Sequence, residues 1–314
     1  MTTRSDAVIS SFSRVCGAKL IVFAGLALGW EAAAEETHQI RPVGEVETVH
    51  EGFAFTEGPA VTGDGTLYFT DIPNSTIHRV ATNGTLSVFT DKSNHANGLW
   101  YLGEGQMLAC EMDGAVVRYS LETGERTVLI DQHDGARFNA CNDLVPDDAG
   151  GLYFTDPLFR APTPLPQEVQ AVYYLAADGN VSRVTGDIAA PNGIGLSPDG
   201  ETLYVIPSQQ SDMLAYDVAG PGKLQDGRVF CTLQQPEGKT GTGGDGMTLD
   251  IEGNLYITTN LGVEIVSPDG RQLGLVRFPQ QPANVTFGGP EFKTLIVTAR
   301  TGVYQVAMPI AGLR

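Results

Sequence analysis

Gly65-Thr66-Leu67-Tyr68-Phe69-Thr70-Asp71 returns almost unchanged as Gly150-Gly151-Leu152-Tyr153-Phe154-Thr155-Asp156. Four weaker copies of this leucine-led strand stand at Leu108, Leu203, Leu255 and Leu295. Each of the six leucines follows a polar residue by 10 or 11 positions: Glu57, Asn97, Asn142, Asn192, Asp245 and Asn284. A short apolar run comes directly after each polar residue, as in Gly193-Ile194-Gly195-Leu196. Repeats of about 40–50 residues built from short strands point to a β-propeller. Such a fold sets the first strand of every blade around one central channel. Six oxygen-bearing side chains, one per blade, are therefore expected at one axial pocket.

The spaces between the strands support an all-β chain. Asp64-Gly65, Asn83-Gly84, Asp113-Gly114, Asp178-Gly179, Asp199-Gly200 and Asp269-Gly270 lie between strand-like runs. Asn-Gly and Asp-Gly supply the positive φ that tight hairpins need. No amphipathic helix is legible after the first 34 residues. Six blades are predicted at about 51–91, 95–131, 139–186, 189–233, 242–278 and 282–311. The last blade runs out of chain after three strands, so its fourth is expected from the N-terminal side, around Val43 to Val49. That closure hides both sheet edges.

Composition narrows the function classes. Of 314 residues, 37 are acidic and 19 basic, a formal charge of −18. A nucleic-acid surface needs a basic footprint, so that class is excluded. Residues 1–34 read as a secretory leader: Arg4, Arg14 and Lys19, then an apolar stretch from Leu20 to Trp30, then Ala32-Ala33-Ala34. The apolar stretch is too short to span a bilayer. The expectation is a periplasmic or secreted propeller over 35–314, with no stable membrane insertion once the leader is removed. No oligomer is predicted. Cys110, Cys141 and Cys231 remain after the leader, and a Cys110–Cys141 bridge is one option.

The hub positions carry the chemistry. Taken singly, Asn or Asp beside Gly is an ordinary turn residue that satisfies its own backbone. Six in equivalent register, with a glutamate among them, fit that account poorly. Glu57 and Asp245 supply two negative charges, and the amides add neutral oxygen donors. Calcium takes six to eight such oxygens. Zinc prefers histidine or cysteine, and all five histidines fall outside the six positions. One divalent cation is expected, calcium first, with magnesium, manganese or zinc open. Glu57, Asn142, Asn192 and Asp245 are the candidate ligands. Arg137, five residues before Asn142, is the candidate cation at the channel mouth, where it could steady an anion. Pairing with Asp134 or Asp143 is its alternative. Asp71 and Asp156 read mainly as caps of their strand ends. The insertions Arg160–Gln167, Pro221–Gly227 and Pro236–Gly244 are loops that could shape a pocket.

Phe55-Thr56-Glu57-Gly58-Pro59, Asn97-Gly98-Leu99, Arg137 through Asn142-Asp143, Pro191-Asn192-Gly193 and Gly244-Asp245-Gly246 occur in that order. This ordered set resembles the gluconolactonase, senescence-marker-protein and luciferin-regenerating-enzyme family over about residues 45–308. The resemblance implies a six-bladed propeller with one catalytic divalent ion on its axis. It implies Glu57, Asn192 and Asp245 as ligands, Asn142 on metal or substrate, and Arg137 on substrate. It also implies hydrolysis of sugar lactones. Ala140-Cys141-Asn142-Asp143, and Met112 after Glu111, depart from common members on the substrate side.

The expected activity is therefore that of a metal-dependent lactonase. The ion polarises the ring carbonyl and orients a water, and Asp245 takes the proton. Catalytic roles fall to Asp245, Asn142 and Arg137. Phosphotriester hydrolysis at the same calcium site, and a non-catalytic ligand-binding propeller, are the alternatives.

Overall fold

A strand with large apolar side chains on both faces must be covered on both faces, and the Leu-Tyr-Phe-Thr strands meet that demand by standing between two neighbouring blades. Leu67 and Phe69 pack with Ile296 and Val303 of the last blade, whereas Tyr68, between them, packs with Leu99, Met107 and Val117 of the second. Leu152 and Phe154 likewise face Leu108 and Val116, and Tyr153 faces Ile194, Leu203 and Val205. Leu255 and Ile257 face blade 4, and Tyr256 faces blade 6. One apolar cluster fills each of the six gaps between adjacent blades, so the core is a ring.

The computed structural model describes residues 39–314, and the leader expected over 1–34 lies outside them. The described residues form six four-stranded antiparallel sheets. The inner strands are Thr56–Val61, Ala96–Gly103, Leu144–Pro146, Pro191–Leu196, Met247–Leu249 and Asn284–Gly288. Each sheet runs outward from its inner strand in chain order, except the last. There the outermost strand is Glu47–Glu51, paired antiparallel with Gly302–Ala307. Tyr304 donates to Glu51 Oε1 at 2.6 Å, and Gln305 Nε2 donates to Glu47 Oε2 at 3.0 Å. The closing strand thus sits a few residues after the Val43–Val49 span the sequence suggested. Val43 N still docks on Ala307 O at 2.8 Å.

Two details differ from the sequence reading. In blade 2, Met107 and Ala109 face blade 1 while Leu108 and Cys110 face blade 3. Met107, not Leu108, therefore occupies the place of Leu67, and a slip of one residue exchanges the two faces. A small extra hairpin, Gln132–His133 with Ala136–Arg137, also stands outside the blades. The three cysteines beyond the leader are free thiols, so Cys110 and Cys141 form no bridge. Among the described residues, no helix is long and apolar enough to cross a membrane.

Candidate metal centre

A threonine near the end of four of the leucine-led strands explains how much of the hub is held. Thr70, Thr155, Thr258 and Thr298 are fully buried. Thr70 Oγ1 donates to Asn97 O at 3.1 Å, and Thr298 Oγ1 to Asn284 O at 3.2 Å. Thr258 Oγ1 accepts Gly246 N at 2.8 Å and donates to Ala283 O at 2.7 Å. Thr155 Oγ1 accepts Asp143 N at 3.1 Å. These bonds pin the backbone beside four of the six hub residues, Asn97, Asn142, Asp245 and Asn284. The aspartates that follow cap the approach to the hub: Asp71 accepts Phe55 N at 2.9 Å, and Asp156 accepts Asn139 N and Ala140 N at 2.9 and 2.7 Å.

Adjacent blades meet backbone to backbone at the axis. Gly98 N donates to Asn142 O, Gly193 N to Asp245 O and Gly246 N to Ala283 O, each at 2.8 Å. That approach accounts for the glycine after the polar residue. A Cβ on Gly58 would lie 1.9 Å from Asn97 O, and one on Gly246 would lie 2.1 Å from Asn284 Oδ1. Gly246→Ala is expected to cost about 1–3 kcal/mol, the usual penalty of overpacking. Denaturant unfolding checks this, and wild-type stability would contradict the tight hub.

Glu57, Asn97, Asn142, Asn192 and Asp245 line one cavity of about 640 Å³ at the mouth of the channel. The sixth position, Asn284, does not. Its amide acts to lower the carboxyls of Glu57 and Asp143, and it lines a second cavity, of about 310 Å³, further along the inner strands. At the mouth, Asn192 Nδ2 donates to Asp245 Oδ1 at 2.7 Å and to Ser208 Oγ at 2.8 Å. Glu57 is 3% exposed and accepts Gly58 N at 2.9 Å.

The electrostatics of this group are unusual. Burial raises the Glu57 carboxyl well above its ordinary range, and the charges of Asp245 and Asp143 raise it further. Burial pushes Asp143 up to about 7, against the hydrogen bonds from Leu144 N and Asn284. Burial pushes Asp245 up to about 6, against the Asn192 bond and the positive charge of Arg300. Among the described residues none of the three forms an ion pair with lysine or arginine. Buried carboxylates are normally paired or bound to metal. No three histidine, cysteine, aspartate or glutamate side chains among the described residues form a metal cluster by themselves. The donor set is mixed, two carboxylates with amides, and this hard-oxygen chemistry fits a dication of the calcium type.

Arg137 is placed elsewhere. Its guanidinium donates to Phe138 O at 2.9 Å, Asn139 O at 3.2 Å and Met112 O at 3.4 Å, and it does not line the cavity. Its charge opposes the rise that burial imposes on Asp156, whose carboxyl stands at about 7. The side chain fits there because Gly114 leaves room: a Cβ would lie 2.7 Å from Arg137 Nε. The cation that acts on Asp245 is Arg300. Its NH2 donates to Gln281 Oε1 at 2.5 Å, and its guanidinium carbon stands 5.5 Å from the centre of the Phe55 ring. Gln281 and Phe55 both line the cavity.

Asp143 and Arg300 are the residues that sequence reasoning did not assign to the site. Asp143 left a trace: four of the other hub residues precede glycine, whereas Asn142 precedes an acid. Its carboxylate takes the space left by Gly98, where a Cβ would lie 2.4 Å from Asp143 Oδ1. Arg300 left none. Of the insertions, only the Gly241–Gly244 stretch of Pro236–Gly244 reaches the cavity; Arg160–Gln167 does not line it, although Phe159 just before it does. Pro221–Gly227 does not, because Pro221 lines a different cavity with Asp147 and Pro198.

The gluconolactonase of Zymomonas mobilis subsp. mobilis is 27% identical over 286 residues, covering 83% of this chain and 80% of that protein. The diisopropyl-fluorophosphatase of Loligo vulgaris is 31% identical over 179 residues, covering 52% of this chain and 55% of that protein. The solved structure of a gluconolactonase from Xanthomonas campestris superposes with a TM-score of 0.77 at 26% identity, covering 86% of this chain and 95% of that one. The family model described as SMP-30/Gluconolactonase/LRE-like region matches residues 55–301, a span that takes in all six hub positions. This chain belongs to the SMP-30/gluconolactonase/LRE-like family.

Proposed function

We propose that the protein is a metal-dependent lactonase, with Glu57, Asn142, Asn192 and Asp245 as the residues that hold one divalent cation, calcium first. The observation that carries this reading is the set of buried, unpaired carboxylates facing one cavity beside amide oxygens. The gluconolactonase relatives supply the substrate class. A dication bound there supplies Lewis-acid polarisation of the ring carbonyl. The chain supplies the rest. Asp245 Oδ1 is occupied by Asn192, which leaves Oδ2 to accept the proton of an attacking water. Asn97 spends its amide on the sulfur of Met112 at 3.9 Å, a weak acceptor, so its N–H groups are open to substrate oxygens. In this reading Arg300, whose charge bears on Asp245, takes the role that the sequence offered to Arg137.

Phosphotriester hydrolysis is the second reading, favoured by the fluorophosphatase relative, although the match spans about half of each protein. The deciding experiment is turnover of glucono-1,5-lactone and of a fluorophosphate ester, each with and without chelator. Lactone hydrolysis that stops on chelation and returns with calcium is the expected result. Undiminished lactone turnover in chelated protein would overturn the metal assignment, and a faster fluorophosphate reaction would favour the second reading.

A further inference from the structure

The cavity has two unlike walls. On the side of blades 4 to 6 it presents Ser208, Gln209, Thr242, Asn260 and Gln281. On the side of blades 1 to 3, beyond the hub residues Glu57, Asn97 and Asn142, it presents Phe55, Ile72, Met112 and Phe159. Ile72 and Met112 are buried and form one apolar cluster with Ala140, against which Phe55 packs. The segment after Asp156, which carries Phe159, has further exposed apolar side chains. Leu158, Phe159 and Leu165 are 37%, 45% and 47% exposed, three large apolar side chains on one short segment. That segment is held at its far end, where Gln167 Nε2 donates to Ala136 O at 2.9 Å and Gln167 N donates to Asn139 Oδ1 at 3.1 Å. Its near end follows Asp156, which is tied to the Asn139 and Ala140 amides. Phe159, which lines the cavity, therefore stands on a segment anchored at both ends.

A ring that carries hydroxyls on every edge suits only half of this cavity. Hydroxyls laid on Phe55, Ile72 and Phe159, away from the Asn97 amide, would give up water without gaining a partner. An apolar substituent in the same place gains by leaving water. Resting on the lactonase reading above, we infer that the preferred substrate is an amphipathic lactone. Its polar ring faces the blade 4–6 wall, and its alkyl or aryl substituent lies on Phe55, Ile72, Met112 and Phe159. The volume is consistent, since about 640 Å³ lies within the range that holds drug-sized ligands.

The test compares γ-butyrolactones carrying no substituent, butyl, octyl or phenyl, with glucono-1,5-lactone as the polyhydroxylated reference. The expected result is a rise in kcat/KM of about tenfold or more from the unsubstituted to the butyl ring, carried by KM. The butyl, octyl and phenyl arms separate alkyl from aryl recognition. In Phe159→Ser and Met112→Asn, the loss for the butyl lactone should exceed the loss for the unsubstituted one at least about fivefold. Binding of the matching lactams, which resist hydrolysis, is measured by calorimetry on the same proteins. Affinity that rises with chain length and falls in Phe159→Ser supports the inference whatever the turnover. Lactam affinity indifferent to the substituent overturns it, as does a preference for gluconolactone with equal losses on all rings; in that last case the lactonase reading stands. Absence of turnover on every ring would sink the lactonase reading instead, and the lactam series would still decide the wall.

Discussion

Asp245→Asn is expected to lower lactone turnover by about 10²–10³-fold or more while the propeller stays folded. The substitution keeps size and shape, and Asn192 and Asp245 already share a 2.7 Å hydrogen bond that an amide can reproduce. It removes one of the two charges offered to the cation and the carboxylate oxygen that receives the proton. It also removes a buried carboxyl that burial holds at about 6. At pH 8, in chelated protein, the variant should therefore melt above wild type, because it no longer has to ionise in place. Loss of activity with a gain in metal-free stability separates a functional charge from a structural one. Steady-state kinetics and thermal unfolding of the same preparation check both halves. Turnover within tenfold of wild type would remove Asp245 from the chemistry, and a drop in metal-free melting temperature would make it structural.

Chelated wild-type protein should lose stability as pH rises from about 4 to 8. Glu57, Asp143 and Asp245 all have folded values above their ordinary ones, the last two at about 7 and about 6. A carboxyl with a raised folded value binds its proton more tightly in the native state. Its contribution is complete below the unfolded value near 4 and is lost as pH passes through the folded value. For Asp245 alone the shift corresponds to roughly 3 kcal/mol. That is about 5–10 °C in melting temperature for a domain of this size. Calcium reverses the sign, because a dication favours the ionised carboxylates, so the stabilisation by calcium should be larger at pH 8 than at pH 5. Melting curves at both pH values, with chelator and with calcium, give the answer. A chelated protein equally stable at pH 5 and pH 8 would contradict the unpaired carboxylate cluster.

The parts of this molecule that were legible beforehand share one property: they are written locally. The Leu-Tyr-Phe-Thr strands alternate side chains to two faces, and Asp-Gly or Asn-Gly turns separate them, so each blade can be read from its own residues. The closing strand was legible because the last blade ran out of chain. Its exact span, Glu47–Glu51, was set by pairing with Gly302–Ala307 across the whole sequence. The reading of Asp71 and Asp156 as caps rested on strand-end position and agrees with their bonds to backbone amides.

What the sequence by itself determined is the ring of six short sheets and one polar residue per inner strand, expected at one pocket, where five of the six meet. Period-two patterning and turn glycines act over a few residues, and repetition around an axis does the rest. What only the tertiary structure decided is where longer or crowded side chains go. Arg137 lies five residues before Asn142, yet it turns onto backbone carbonyls because Gly114 leaves space there. Arg300 is distant from every motif, yet it reaches Gln281 at the entry to its own blade and the field of Asp245 in the neighbouring one, and it lies over Phe55 because the last blade closes against the first. Asn284 keeps the repeat but lines the second cavity further along the channel, where it acts on Glu57 and Asp143. The physical reason is common to all three. Spacing along the chain sets where a backbone comes to the axis, but packing across blades sets where a side chain finds room and a partner.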